Sequence, residues 1–202
     1  VTLRYFYDDK NKLDAFMVYV PSLRRIRKLT ATDSQDPTGD MAYDDTNHLQ
    51  QKITPKKHPY KFDIIAEREY LFPIAVNTGK AWIDSKNGYV IREVQFMRRP
   101  TYVLQLTQLD HNYLYSKRII YIDKENFMCQ HSANYDQKGQ LYRTQLYTQV
   151  WMPEIGQMVP FGTQTMQFDH IDEHSTFQVQ FTLPGPFERG DFSMKGLIKS
   201  GK

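Results

Sequence analysis

Thr176-Phe177-Gln178-Val179-Gln180-Phe181-Thr182-Leu183 carries the clearest structural signal in the sequence. Apolar and polar residues alternate along it, which places the apolar side chains on one face of an extended strand and the polar ones on the other. Antiparallel sheets accept such strands because they can bury one face and wet the other. The stretch therefore predicts a sheet, and Phe177, Val179 and Phe181 are candidates to line an apolar cavity.

Shorter segments of the same kind recur along the 202 residues. Tyr102, Leu104 and Leu106 alternate with polar residues and are further candidates for the cavity lining. Asn87-Gly88 lies between two strand-like segments and is a strong signal for a hairpin turn. Tyrosine and phenylalanine, which favour strands, contribute 14 and 12 residues. Nine or more strands with few short helices predict a mainly β, strongly curved antiparallel sheet.

The predicted sheet forms a single domain over residues 1–185. After Leu183 the sequence continues as Pro-Gly-Pro and ends in a stretch rich in glycine and lysine. We therefore expect a weakly ordered tail over residues 186–202.

A cationic segment follows the second predicted strand. Pro21 ends that strand or lies at a sheet edge, because proline has no N–H to donate. Four cations then occur within five residues. In one interpretation they bind an anionic partner or lipid headgroup, with peripheral contact to a membrane. In the other they pair with the solvated acidic loop that follows over residues 33–45. The cations are Arg24, Arg25, Arg27 and Lys28.

Composition excludes several classes of protein. The net charge of +3 is too balanced for a dedicated nucleic-acid binder, and no apolar run approaches the roughly 20 residues that span a bilayer. Cys129 is the only cysteine, so no disulfide forms within the chain, which suits the cytosol and many periplasmic proteins. Because the chain begins at Val1 with strand-like residues, we expect a processed or excised product.

The sequence indicates no catalytic residue, metal ion or cofactor. His170-Ile171-Asp172-Glu173-His174 matches a zinc-protease motif that works only on a helix, whereas here it joins two strands and predicts a polar surface turn. Cys129 and His131 are two apart on a strand and should share a face, but no further group completes a nucleophilic site. Phosphate loops, dinucleotide fingerprints and serine elbows are absent. We therefore expect a protein that is not an enzyme.

Five segments spread over most of the chain carry a resemblance to a known family: residues 19–27 (YVPSLRRIR), 40–45 (DMAYDD), 92–94 (REV), 117–123 (KRIIYID) and 135–143 (YDQKGQLYR). Together they resemble domain-of-unknown-function family 1329, which is similar to outer-membrane lipoprotein-sorting proteins and belongs to the LolA/LolB-like carrier superfamily. Members of that family are longer and carry a signal peptide and further sequence upstream.

The resemblance implies a half-barrel whose concave face is apolar, and a periplasmic location. It implies a carrier or binding protein for a lipid, a lipoprotein acyl chain or another hydrophobic ligand. The alternative is a non-catalytic interaction module of an envelope or export complex, whose partner is an exporter or an outer-membrane protein. If a helix of the missing upstream part normally lies against the sheet, this chain has a more open concavity.

Overall fold

The computed structural model describes residues 2–5, 7, 9, 11–12, 14–29, 42, 44, 53, 58–75, 82–87, 90–153, 156–159, 164–179 and 186–201. The strands in the first half of the chain are β1 (Thr2–Tyr5), β2 (Ala15–Val20), β3 (Arg25–Leu29), β4 (Tyr60–Ala75), β5 (Trp82–Asp84), β6 (Val90–Arg92) and β7 (Val94–Gln108). Those that follow are β8 (Lys117–Asp123), β9 (Cys129–Tyr135), β10 (Leu141–Tyr147), β11 (Gln149–Met152), β12 (Gln157–Val159), β13 (Gln164–Asp169) and β14 (His174–Val179), and the helix is α1 (Met194–Ser200).

Nine strands form one open sheet in the order β12-β11-β4-β7-β8-β9-β10-β13-β14. Every neighbouring pair is antiparallel except β11 and β4, which are parallel. Because the first and last strands do not pair with each other, the sheet stays open, as a half-barrel does. The prediction of a mainly β fold built on a large antiparallel sheet is confirmed.

The predicted hairpin at Asn87-Gly88 has a longer connection than two residues. β5 pairs with β6, but a 3-10 turn over Ser85–Asn87 follows β5 directly. Asn87 donates through its side-chain amide to Asp84 at 2.7 Å, and Asp84 also accepts from Arg92. Asn87 of the turn and Arg92 of β6 thus both donate to the carboxylate of Asp84.

β1, β2 and β3 form a separate three-stranded sheet, and α1 packs on one of its faces. Leu197 of α1 is 3% exposed and lies against Leu3, Met17 and Tyr19. This helix lies within residues 186–202, for which the sequence predicted a weakly ordered tail, and Ser193 caps it through its hydroxyl, which accepts from the N–H of Gly196. The apolar residues Leu197 and Ile198 pack this helix against the small sheet. The domain boundary at residue 185 stays a prediction.

The register assigns each side chain of the large sheet to one of two faces. We call the first the polar face, since Ser132, Asn134 and Gln145 lie on it beside Arg143, Gln167 and Asp169. We call the second the apolar face. Polar residues, among them Lys117 and Asp123, also project from it. Its apolar and aromatic members from β7 to β14 include Val103, Tyr121, His131, Leu146, Met166, Phe168 and Phe177.

The polar face is buried, although its residues are hydrophilic. Ser132, Asn134, Gln145 and Gln167 are all 0% exposed. The segment between β3 and β4 contacts this side of the sheet at three described points: the N–H of Ala42 donates to the Thr176 hydroxyl at 2.7 Å, Asp44 pairs with Arg143, and Ile53 packs on the cluster of Tyr60, Leu106 and Ile120. The apolar face, in contrast, consists mostly of half-buried residues.

Candidate ligand-binding face and hollow

Aromatic side chains cross the apolar face from β4 to β9. The ring of Tyr70 meets that of Tyr121 edge to face at 5.0 Å between centroids, and Tyr121 lies 5.1 Å from the imidazole of His131. Burial lowers the pKa of His131 and raises the pKa of Tyr121. Both groups are therefore neutral at pH 7, so this row presents uncharged surface.

A hollow of about 750 Å³ lies at the β4–β11 end of the apolar face. Met97 and Arg99 of β7 project from the same face as Val103, and Arg99 is paired in register with Tyr70, so the hollow continues the aromatic row. Trp151 stands at the hollow with 52% of its surface exposed. The apolar residues that line the hollow are Ile74, Met97, Met128, Trp151 and Met158.

Arg99 and Glu125 supply the charged part of the hollow. The Arg99 guanidinium donates to Asp123 at 2.6 Å and to Glu125 at 2.7 Å. These hydrogen bonds raise the pKa of Arg99, and the bond to Asp123 contributes most. Burial alone would raise the pKa of Asp123, but Arg99 and the N–H of Glu125 hold it below its ordinary value. One cation thus faces two carboxylates, so the hollow has no spare positive charge for an anionic headgroup.

The structure does not bring the six predicted cavity residues together. Tyr102, Leu104 and Leu106 share the side of the sheet that carries Ser132 and Gln145, where Leu106 is 0% exposed in the core. Phe177 lies on the apolar face, half-buried. The side chain of Val179 and the whole of Phe181 lie outside the described residues.

The four predicted docking cations are exposed on and beside β3. In the part of the chain that the structure describes, none of them forms an ion pair with an acidic side chain. Asp44, the described member of the acidic loop, pairs with Arg143 instead. The expectation that Asp44 lies in a solvated loop was therefore wrong, because a buried guanidinium holds it 0% exposed. The cations are Arg24, Arg25, Arg27 and Lys28.

Sequence reasoning missed the buried ionic cluster around Arg143. The guanidinium donates to Asp169 and to Asp44, each at 2.9 Å, and Tyr115 donates its hydroxyl to Asp44. Arg143 is 1% exposed, and burial alone would lower its pKa, but Tyr115 and the two carboxylates raise it. The available signal was that Asp44 and Arg143 both belong to segments shared with the family, although 99 positions separate them.

The motif from His170 to His174 forms a turn between β13 and β14, as predicted. Asp169, Asp172 and His174 place three possible ligand atoms within 4.8 Å of one another. However, Asp169 already accepts from Arg143 through Oδ2 and from the N–H groups of Ile171 and Asp172 through Oδ1. These bonds explain the cluster as a carboxylate that holds a turn.

Cys129 and His131 do not share a face, in contrast to the prediction from their spacing. The register of β8 and β9 shifts between Tyr121 and Ile122, so one extra residue of β9 separates the two. Cys129 packs on the cluster that contains Leu106, while His131 lies against Tyr121. Burial raises the pKa of the Cys129 thiol to about 12, which keeps it protonated at neutral pH.

Comparisons with known proteins support the family and the fold. The family described as "Protein of unknown function (DUF1329)" matches residues 1–190, whereas no curated protein matches the chain. A structure described as an outer membrane lipoprotein-sorting protein domain, from Vibrio parahaemolyticus, is similar with a TM-score of 0.66 at 16% identity, over 98% of this chain and 70% of that one. A DUF1329 family protein from Desulfovibrio piger gives 0.62 at 15% identity, over 97% and 70%. A LolA superfamily protein from Nitrosomonas europaea gives 0.46 at 15% identity, over 90% and 67%.

α1 is the one helix longer than a single turn that the described ranges contain, and with seven residues it is too short to cross a membrane.

Proposed function

Because the chain belongs to the DUF1329 family, whose solved relatives include a domain described as lipoprotein-sorting, we propose that it is a non-enzymatic carrier for a hydrophobic ligand. The ligand, a lipid or the acyl chain of a lipoprotein, lies on the apolar face with one end in the hollow. The observation that carries the proposal is the continuity of the hollow with the uncharged aromatic row through Tyr70 and Tyr121.

The size and lining of the hollow suit an apolar chain. Its volume of about 750 Å³ falls within the range of small-molecule sites. Three methionines line it, and their flexible thioethers adapt to ligands of varied shape. Burial of apolar surface would drive binding at about 25 cal/mol per Å².

Charge in the hollow favours a neutral ligand end. Asp123 and Glu125 already neutralise Arg99, so a carboxylate placed beside them meets a net negative charge. Farther along the row, Nδ1 of His131 is buried and has no hydrogen-bond partner among the described residues. A ligand hydroxyl or amide that reaches it would gain a hydrogen bond. We therefore infer that the acyl end enters the hollow and the polar head stays outside.

The proposed location is the periplasm, and the proposed partners are an envelope exporter or an outer-membrane protein. The lipoprotein-sorting description of the relative from Vibrio parahaemolyticus supports this placement. In such a setting a carrier takes up its ligand at one membrane and releases it at another. An open sheet face meets this need, since a ligand can enter it from the side.

A pair of neighbouring residues on β7 gives a matched test. Met97 is 47% exposed and lines the hollow, whereas Phe96 is 64% exposed and projects from the other side of the same strand. Met97→Glu places a charge where the ligand should lie, and Phe96→Glu places the same charge outside. Binding of the neutral dye N-phenyl-1-naphthylamine is measured by its fluorescence, with quenching of Trp151 as a second signal.

Met97→Glu should weaken dye binding by about tenfold or more, because an apolar ligand would desolvate the new carboxylate. Phe96→Glu should change binding by less than about twofold, as surface substitutions do. A fluorescent fatty acid should bind more weakly than its methyl ester. Equal losses in both variants, or no dye uptake by the unmodified protein, would refute the proposal.

A further inference from the structure

The three-stranded sheet has one covered face and one cationic face. α1 packs on the face that carries Leu3, Met17 and Tyr19. The register places Phe16 and Val18 on the opposite face, next to Arg4 and Arg27 respectively. We define this cationic face by its members: Arg4, Phe16, Val18, Val20, Arg25 and Arg27.

Arg4 is held in place on this face, and two further cations, Arg25 and Arg27, stand exposed beside it. The guanidinium of Arg4 lies 3.8 Å from the centroid of the Phe16 ring, which fixes it over the sheet. Arg25 and Arg27 are exposed and pair in register with half-buried Val20 and Val18. Neither forms an ion pair within the described ranges. Arg24 adds a further exposed cation at the turn before β3.

From this arrangement we propose that the cationic face docks on the surface of a bilayer that contains anionic phospholipid. Half-buried apolar residues interleaved with cations match the interfacial region, where apolar groups enter the headgroup boundary and cations meet phosphates. The proposal goes beyond the carrier function, since this surface belongs to the small sheet and needs no bound ligand.

Size decides between a membrane and a protein as the occupant. β2 has six residues, so a sheet of this length and three strands in width presents a face of about 300 Å². A specific protein interface needs roughly 800 Å² per partner, far more than this face offers. Electrostatic docking to lipid needs no such area, because each cation near the surface contributes separately. Binding of this kind is reversible, as a carrier that leaves the membrane requires.

Sedimentation with vesicles tests the proposal. The vesicles consist of phosphatidylcholine alone or mixed with phosphatidylglycerol, at low salt and at about 500 mM salt, where screening shortens to a few ångströms. The test variant combines Arg24→Gln, Arg25→Gln and Arg27→Gln. The control removes three exposed cations from other elements through Lys86→Gln, Lys138→Gln and Arg189→Gln, so both variants have the same net charge.

The unmodified protein should bind the mixed vesicles at low salt and dissociate from them at high salt. It should not bind vesicles of phosphatidylcholine alone. The test variant should lose roughly 100-fold in partition coefficient, and the control should lose little. Equal losses in both variants would overturn the proposal, because net charge alone would explain the binding, and so would failure of the unmodified protein to bind. Dye uptake by the test variant reports separately on the carrier function and should be unchanged.

Discussion

Replacing Arg143 by methionine should cost this protein a large part of its stability. Methionine keeps the unbranched apolar stem of the side chain but removes the guanidinium and its charge, which leaves Asp44 and Asp169 facing each other in a buried site. Arg143 is 1% exposed, and the two carboxylates are 0% and 2% exposed, so solvent does not compensate. The expected result is a fall in the free energy of unfolding with little change in its dependence on urea concentration.

The size of the effect follows from the contacts. Arg143 donates to each carboxylate at 2.9 Å, and a hydrogen bond to a charged group contributes about 1.5–3 kcal/mol. Removing one partner of a buried ion pair costs about 3–5 kcal/mol. Domains unfold with about 5–15 kcal/mol in total, so Arg143→Met approaches the limit of folding. The exposed pair of Arg98 and Glu69, 3.5 Å apart, offers a control at less than about 1 kcal/mol.

Urea unfolding followed by tryptophan fluorescence measures both variants. If Arg143→Met does not fold, the triple variant that adds Asp44→Asn and Asp169→Asn provides the test. It removes all three charges and should recover at least half of the free energy of unfolding that Arg143→Met loses. A loss below about 1 kcal/mol for Arg143→Met, equal to that of Arg98→Met, would refute the argument. So would a triple variant less stable than the single one.

Two further predictions concern pH and the C-terminal helix. The folded state lowers the pKa of Asp123 and Asp169, so the stability they contribute is present above their unfolded pKa and is lost as the pH falls below about 4. The urea midpoint should therefore stay constant near pH 7 and decrease below about pH 4. Asp169→Asn should reduce this decrease, whereas Asp63→Asn should not. Gly196→Ala should destabilise the docked helix by about 1–3 kcal/mol, because the added Cβ would meet the backbone oxygen of Gly190 at 2.7 Å and that of Asp191. Lys195→Ala, on the exposed side of the same helix, should leave the melting temperature unchanged, and equal melting of both variants would contradict the contact.

The period-two alternation of the sequence predicted the strands but not which face of the large sheet is covered. The sequence of β9 alternates as expected for a strand. However, its polar residues Gln130, Ser132 and Asn134 are 0% exposed, whereas Cys129 and His131 are half-buried. Composition predicts the reverse, since amides and hydroxyls normally face water. Three described residues of the cover, Ala42, Asp44 and Ile53, belong to a segment without periodicity, and Asp44 contacts Arg143 across 99 positions. Local patterns hold no information about such contacts.

The pairing register explains why the candidate cavity residues fell on two faces. Leu104 and Phe177 each alternate cleanly with polar neighbours, but β8, β9, β10 and β13 separate their strands in the sheet. Across these strands Leu104 aligns with Thr176, so Phe177, one residue further, lies on the opposite face. Sequence patterns do not predict this register, so the strands were predictable and their shared face was not.

The reversed burial of the two faces is itself an argument for ligand binding on the apolar one. Closing the polar face covers hydrophilic side chains, since the amides of Asn134 and Gln167 are 0% exposed. A fold that needed only stability would instead cover Tyr121, Leu146 and their apolar neighbours, which gain most from burial. This sheet covers the opposite side and anchors the cover through Arg143. On the other side, the row of Tyr70, Tyr121 and His131 is an uncharged surface that the proposed ligand would cover.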